Sequence, residues 1–105
     1  MARIPNEIID AVKKFRKSID NDLSVKKVFI FGSFAKGNFT EESDIDVCVI
    51  AENIDNNFLA EFKIAPKILK SDIRIEPVVF SEKEYLEVDS FGLLKEVKEN
   101  GIEIL

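Results

Sequence analysis

Two aspartates separated by one residue stand where an apolar run begins. The run covers residues 44–51, and the alternation of strand side chains places Asp44 and Asp46 on the same face. Neighbouring carboxylates repel each other and lose hydration when they are partly covered, and a divalent cation compensates for both effects. In a plainer interpretation, Ser43-Asp44 is only a turn and Asp46 faces water at the rim. The pair is a candidate metal site.

A glycine and a serine end the preceding apolar run, Val25 to Phe31. Glycine lets the backbone approach a ligand closely, and the free amides of a following helical turn suit phosphate. We predict such a turn from Ser33 to Gly37, with the Ser33 hydroxyl as an N-cap, as a phosphate ligand or as both. If the two apolar runs are neighbouring strands, Gly32 and Ser33 hold phosphate close to the metal that the carboxylates bind.

A third acid comes from the run Asp72 to Phe80, in which Asp72, Arg74 and Glu76 share one strand face. Glu76 lies among apolar residues, where an unpaired carboxylate is costly, so it needs a metal or Arg74 as a partner. We predict Glu76 as the third ligand and keep Asp72 as the competing candidate. Three carboxylates favour Mg²⁺ or Mn²⁺, and two such ions support phosphoryl or nucleotidyl transfer.

Helices are predicted between these strands. A helix from Phe58 to Lys70 should be kinked or divided by Pro66, and its apolar side chains share one face. These side chains are Leu59, Phe62, Ala65, Ile68 and Leu69. A later helix is predicted to face inwards through Phe91, Leu94 and Val97. For Phe58, Phe62 and Phe91 we expect core packing, with a partner surface as the alternative.

The composition sets the class of protein. The 105 residues predict one domain, 1–105, and 46% hydrophobic with 33% charged residues is typical of a folded, soluble chain. With no histidine and Cys48 as the one cysteine, histidine triads, thiolate zinc sites and disulfides are excluded. The net charge of -5 argues against extended nucleic-acid binding. Since there is no long apolar run and no signal-peptide pattern, we expect a cytoplasmic address without membrane contact.

Helices that alternate with strands predict an α/β or α+β domain with a small sheet covered by helices. Within it, "GSFAKGNFTEESDID" resembles the signature of the polymerase-beta-like nucleotidyltransferases, in which Gly-Ser is followed after ten residues by D-x-D. The embedded "GSFAKG" is similar to the G-S-x-A-[RK]-G form of the minimal nucleotidyltransferases. The later stretches "RIEPVVFSEKEYLE" and "SFGLLKEVKENGIEI" also resemble these small proteins.

The resemblance implies a mixed sheet flanked by helices, a magnesium site and a nucleoside triphosphate, expected to be ATP. Asp44, Asp46 and a third acid would bind the metal, with catalytic roles, and Gly32 and Ser33 would bind the nucleotide. Lys36 stands at the basic position of the motif, and a solvated loop lysine is the alternative. Many relatives carry aspartate as the third acid, whereas this chain offers Glu76.

Relatives of this size are often antitoxins paired with a HEPN-domain RNase, and some transfer AMP from ATP to a tyrosine of that toxin. The resemblance therefore implies a Mg²⁺-dependent adenylyltransferase that modifies a hydroxyl of a HEPN-type toxin partner. One alternative is an antitoxin that neutralises its partner by stoichiometric binding, with a weak nucleotide pocket. Another is nucleotidyl transfer to a small molecule. The sequence does not determine the oligomeric state, and a homo-oligomer remains an option.

Overall fold

The computed structural model describes residues 4–87 and 89–105. Its strands are β1 (Ser24–Phe31), β2 (Ile45–Glu52), β3 (Ile75–Ser81) and β4 (Ile102–Glu103). They form one sheet in the order β3-β2-β1-β4, in which β1 is antiparallel to both its neighbours and β2 is parallel to β3. This mixed sheet confirms the predicted fold class. The predicted domain 1–105 also includes residues 1–3 and 88, which lie outside the described residues.

Helices cover both faces of the sheet. They are α1 (Asn6–Ile19), α2 (Ser33–Lys36), α3 (Asn57–Ile64), α4 (Ile68–Ser71), α5 (Glu82–Leu86) and α6 (Gly92–Asn100). On one face α1 is buried through Ile8, Val12, Phe15 and Ile19, as its apolar spacing predicts. On the other face α6 is buried through Leu94 and Val97. None of the helices in the described residues is long and apolar enough to cross a membrane.

The central strand β2 has opposite side chains on the two faces. Val47 and Val49 belong to the core beneath α1, whereas Cys48 and Ile50 belong to the core beneath α6. Asp46 has the parity of Cys48, so its side chain lies on the α6 face. The position of α6 therefore affects the surroundings of the predicted metal ligand.

The outer edge of β3 is closed by proline and by two glutamates. Pro77 has no N–H, the Val79 N–H donates to Glu61 Oε2 at 3.0 Å, and the Ser81 N–H donates to Glu84 Oε1 at 3.0 Å. Pro77 is accommodated because β3 is an edge strand, and Ser81 with Glu84 forms a capping box at the start of α5. The edge of β3 thus presents few free donors to another strand.

The predicted division at Pro66 is confirmed, because α3 ends at Ile64 and a 3₁₀ turn, Ala65–Lys67, separates it from α4. The orientation of α3 differs from the prediction, and its buried residues are Ala60 and Ile64. The predicted apolar face is largely exposed, including Leu59, Phe62 and Leu69, and Phe58 at the start of the helix is exposed as well. Glu61 explains this orientation, since its carboxylate turns inwards to accept the Val79 N–H.

Phe91 is also exposed rather than buried, with 86% of its surface accessible. It precedes the first turn of α6, so the helical spacing that buries Leu94 and Val97 does not extend back to it. The expectation of core packing is therefore wrong for Phe58, Phe62 and Phe91.

Candidate active site

Gly32 and Asp46 are brought together by the pairing of β1 with β2. Phe31 is the register partner of Asp46, and Gly32 follows Phe31 with φ 71° and ψ -146°. A side chain at Gly32 would be strained at this positive φ, and its Cβ would overlap Asp46 Oδ2. The glycine is required both by the backbone turn and by the carboxylate beside it.

The turn after Gly32 is the predicted one, since α2 runs from Ser33 to Lys36 and Gly37 ends it at φ 84°. The Gly37 N–H donates to the Ser33 carbonyl at 2.9 Å. Ser33 is not the N-cap, because Gly32 occupies that position and α2 has no side-chain cap. The predicted capping role of Ser33 is wrong, which leaves its hydroxyl available to a ligand.

The three predicted acids lie at the end of the sheet where the parallel strands β2 and β3 begin. Asp44 immediately precedes β2, and Asp46 is the register partner of Glu76 across the parallel pair. Asp46 is half-buried, whereas Asp44 and Glu76 are exposed. The Ile45 N–H, which donates to the Arg74 carbonyl at 2.8 Å, fixes the start of β2 against β3.

The acids affect one another electrostatically. Burial raises the pKa of Asp46 above its ordinary value, and the charges of Asp44 and Glu96 raise it further. Burial also raises the pKa of Glu76, together with the charges of Asp44 and Asp46 and a hydrogen bond with the Asp44 carboxyl. Since the charge of Asp44 disfavours ionisation of both Asp46 and Glu76, negative charge is concentrated here, and a cation would neutralise it.

In residues 4–87 and 89–105, no three acidic, histidine or cysteine side chains are gathered so that they could hold a metal ion. Without a cation, the negative charge of Asp44, which raises the pKa of both Asp46 and Glu76, opposes such a gathering. The donor set itself fits Mg²⁺ or Mn²⁺, because it consists of carboxylate oxygens. Gly32 adds to the fit, since it leaves room for Asp46 at the turn.

Asp72, the competing third acid, is bound elsewhere. Its Oδ1 accepts from Arg74 Nε at 3.0 Å and its Oδ2 accepts from Arg74 Nη2 at 2.8 Å. The hydrogen bonds and charge of Arg74 lower the pKa of Asp72. The alternative in which Arg74 is the partner of Glu76 is therefore not seen, and Asp72 has both oxygens occupied.

Lys36 forms an ion pair with Glu96 of α6, with 3.1 Å between Nζ and Oε1. Sequence reasoning missed Glu96, although it also acts on the pKa of Asp46. No local motif marks this residue, because only the packing of α6 on the sheet brings it to Lys36. Lys36 is thus both paired and half exposed, and its role as the basic residue of the motif stays a prediction.

A cavity of about 380 Å³ lies away from these residues. It is lined by Ser24, Glu52, Asn53 and Lys63 among others. Ser24 and Glu52 are register partners at the end of β1 and β2 that is farther from Asp46. It contains none of the predicted site residues. The candidate active site is therefore defined by its charged groups and its glycine turn.

A mixed sheet flanked by helices, with Gly-Ser after one strand and D-x-D at the start of its neighbour, defines a nucleotidyltransferase. The chain belongs to the nucleotidyltransferase domain family, whose model matches residues 11–104. The family resemblance and the enzyme class predicted from the sequence are thus confirmed.

Three similar proteins are informative. A Methanocaldococcus jannaschii protein named "Putative protein adenylyltransferase" is 35% identical over an alignment that covers 93% of this chain and 99% of the relative. A toxin–antitoxin complex crystallised with AMP-PNP contains a chain with 27% identity and a TM-score of 0.62, over 92% of this chain and 72% of that one. A Sulfolobus solfataricus structure described as a putative nucleotidyltransferase has 19% identity and a TM-score of 0.60, covers 98% and 89%, and supports the fold.

Proposed function

We propose that this nucleotidyltransferase transfers AMP from ATP, with Mg²⁺ or Mn²⁺, to a hydroxyl of a HEPN-type toxin protein and acts as its antitoxin. The observation that carries the proposal is the placement of Gly32 beside Asp46, directly after β1, and of Asp46 opposite Glu76 in the parallel pair. The similar protein named as an adenylyltransferase and the similar chain from a toxin–antitoxin complex support the donor and the partner.

Nucleotide binding is assigned to the glycine turn. The close approach at Gly32 brings the backbone to the triphosphate, the Ser33 hydroxyl donates to a phosphate oxygen, and Lys36 supplies positive charge. Asp44, Asp46 and Glu76 would hold the divalent ion, which supplies charge neutralisation at the phosphates and a lower pKa for the attacking hydroxyl. The proposed phosphate-binding turn and the carboxylates are neighbours because β1 and β2 are neighbours.

The reaction is a displacement at the α-phosphorus. The oxygen of the acceptor hydroxyl forms a bond to this phosphorus while the bond to the bridging oxygen of the β-phosphate breaks, and pyrophosphate leaves with that electron pair. Glu76, which lies opposite Asp46 in the parallel pairing, takes the hydroxyl proton. The chain itself contributes positioning and charge, since it forms no covalent intermediate.

The test first asks whether a reading frame beside this gene encodes a HEPN-type protein, and then measures transfer of radiolabelled AMP from ATP to that protein, with Mg²⁺ present and mass analysis of both chains. We expect the label on the partner with the natural protein. The double variant Asp44→Asn with Asp46→Asn should lose transfer by a factor of at least about 100, because both carboxylates act together.

A matched control carries Asp10→Asn with Asp20→Asn, the same charge change at exposed positions of the chain. This control should retain transfer. Transfer by the Asp44/Asp46 double variant at the natural rate would overturn the site. If that variant lost transfer yet neutralised the toxin equally well, neutralisation would be stoichiometric and the antitoxin role would not require AMP transfer.

A further inference from the structure

The ion pair of Lys36 and Glu96 joins two elements that are distant in the chain. Lys36 is the last residue of α2, and Glu96 lies in the middle of α6. Their side chains remain 49% and 33% exposed, so the pair is open to solvent and to a ligand. A ligand with more negative charge than one carboxylate can therefore compete for the Lys36 ammonium group.

The core holds Glu96 in place. Leu94 and Val97, on the same helix, are buried against Phe29 and Phe31 of β1. Since β1 leads directly into Gly32, α6 is anchored to the strand that begins the glycine turn. The Glu96 carboxylate is consequently held beside Lys36, and its charge also reaches Asp46.

A fixed carboxylate at this place has two effects on a triphosphate. It occupies the ammonium group that the proposed function assigns to phosphate, and it repels the phosphate charge directly. The ion pair itself contributes little to the stability of the fold, because it is partly exposed. The pair is better explained by the ligand that replaces it.

We propose that Glu96 is the resting partner of Lys36 and competes with the triphosphate for its ammonium group, so that Glu96 lowers the affinity of the site for nucleotide. This inference rests on the proposed function, since it takes Lys36 as a nucleotide ligand. Glu96 acts through Lys36 and is a positioning residue. It holds the lysine at the end of α2 until phosphate oxygens take over.

The experiment measures the dissociation constant of α,β-methylene ATP, an analogue that cannot release pyrophosphate, by calorimetry with Mg²⁺. Glu96→Gln should bind it about two- to fivefold more tightly than the natural protein, the range expected of a partly exposed charge pair. The gain should shrink at high ionic strength. Glu99→Gln, the same charge change at an exposed position of α6, should bring a smaller gain.

A merely structural role of Glu96 makes the opposite prediction, because a disturbed site binds more weakly. Lys36→Gln should weaken binding, and in that background Glu96→Gln should tighten it less than in the natural protein. Competition is overturned if Glu96→Gln binds equally or more weakly, or if its gain is undiminished without Lys36. Absence of binding by the natural protein would overturn the proposed function and this inference with it.

Discussion

Asp46 stands opposite Glu76 in the parallel pairing of β2 and β3, so two carboxylates occupy neighbouring positions of the sheet. Burial raises the pKa of both above their ordinary values of 3.8 and 4.5, and nearby carboxylates add to the shift, Asp44 and Glu96 for Asp46 and Asp44 and Asp46 for Glu76. A raised carboxyl pKa in the folded state means that the group costs stability once it is ionised. The stability that the protonated carboxyl groups contribute is fully present at pH below the ordinary pKa values and is lost as the pH rises through the raised pKa values.

The first prediction follows from this sign. With EDTA present, Asp46→Asn should raise the thermal midpoint at pH 7 and leave it nearly unchanged at pH 3, where the natural carboxyl is protonated. Mg²⁺ should raise the midpoint of the natural protein at pH 7 more than that of the variant, because binding to the folded state stabilises it. Scanning calorimetry at the two pH values measures both effects. An equal midpoint shift at pH 3 and pH 7 would contradict the electrostatic explanation.

The second prediction compares two glycines with positive φ, Gly32 at 71° and Gly92 at 63°. Gly32→Ala should cost about 1 to 3 kcal/mol and also lose transfer, because the new Cβ would displace Asp46. Gly92→Ala has open space around its Cβ and should cost only the backbone strain, with transfer retained. Urea unfolding and labelled-AMP transfer separate the two costs. Full transfer by Gly32→Ala would show that the close approach is dispensable.

The third prediction distinguishes the two candidates for the third acid. The pKa of Asp72 is lowered by its hydrogen bonds and charge interaction with Arg74, so this pair stabilises the fold above the ordinary value of 3.8 and ceases to do so as the pH falls through the lowered pKa. Asp72→Asn should cost about 1 kcal/mol at pH 7 and less near pH 2, with transfer retained. Glu76→Gln should not lower the stability at pH 7, because the raised pKa of Glu76 means that its ionised carboxylate is unfavourable there, and it should lose transfer.

Urea midpoints at the two pH values and labelled-AMP transfer measure this pair of variants. Loss of transfer in Asp72→Asn with retention in Glu76→Gln would exchange their roles. We expect Asp72→Asn to retain transfer because the Asp72 carboxylate is already bound to Arg74 by two hydrogen bonds.

The parts of the site that local chemistry determines could be predicted from the sequence. Apolar β-branched runs specify β1 and β2, and Gly32 with Ser33 specifies the turn between the first of them and α2. Because this segment is short and connects neighbouring strands, the pairing of Asp46 with the end of β1 follows from few assumptions. The parity of Glu76 with Asp46 needed the parallel register, which the pattern alone did not determine.

The rest depended on contacts between distant segments. Glu96 reaches Lys36 only because Leu94 and Val97 place α6 on β1. The prediction of the inner face of α3 was wrong because apolar spacing favours the side with Phe62. The Val79 N–H has no strand partner on the edge of the sheet and donates to the Glu61 carboxylate instead, which turns Glu61 inwards. A hydrogen-bond requirement of another strand thus outweighed the hydrophobic pattern of the helix.

The last prediction tests this orientation of α3 with two large-to-small substitutions. Ile64 is fully buried, so Ile64→Ala should lower the free energy of unfolding by about 2 to 5 kcal/mol. Phe62 is 73% exposed, so Phe62→Ala should change it by only about 0.5 kcal/mol or less, although more apolar surface is removed. Urea unfolding of both variants, each checked for a folded natural-like circular dichroism spectrum, provides the comparison. A larger loss for Phe62→Ala than for Ile64→Ala would mean that the face predicted from the helical spacing packs inwards after all.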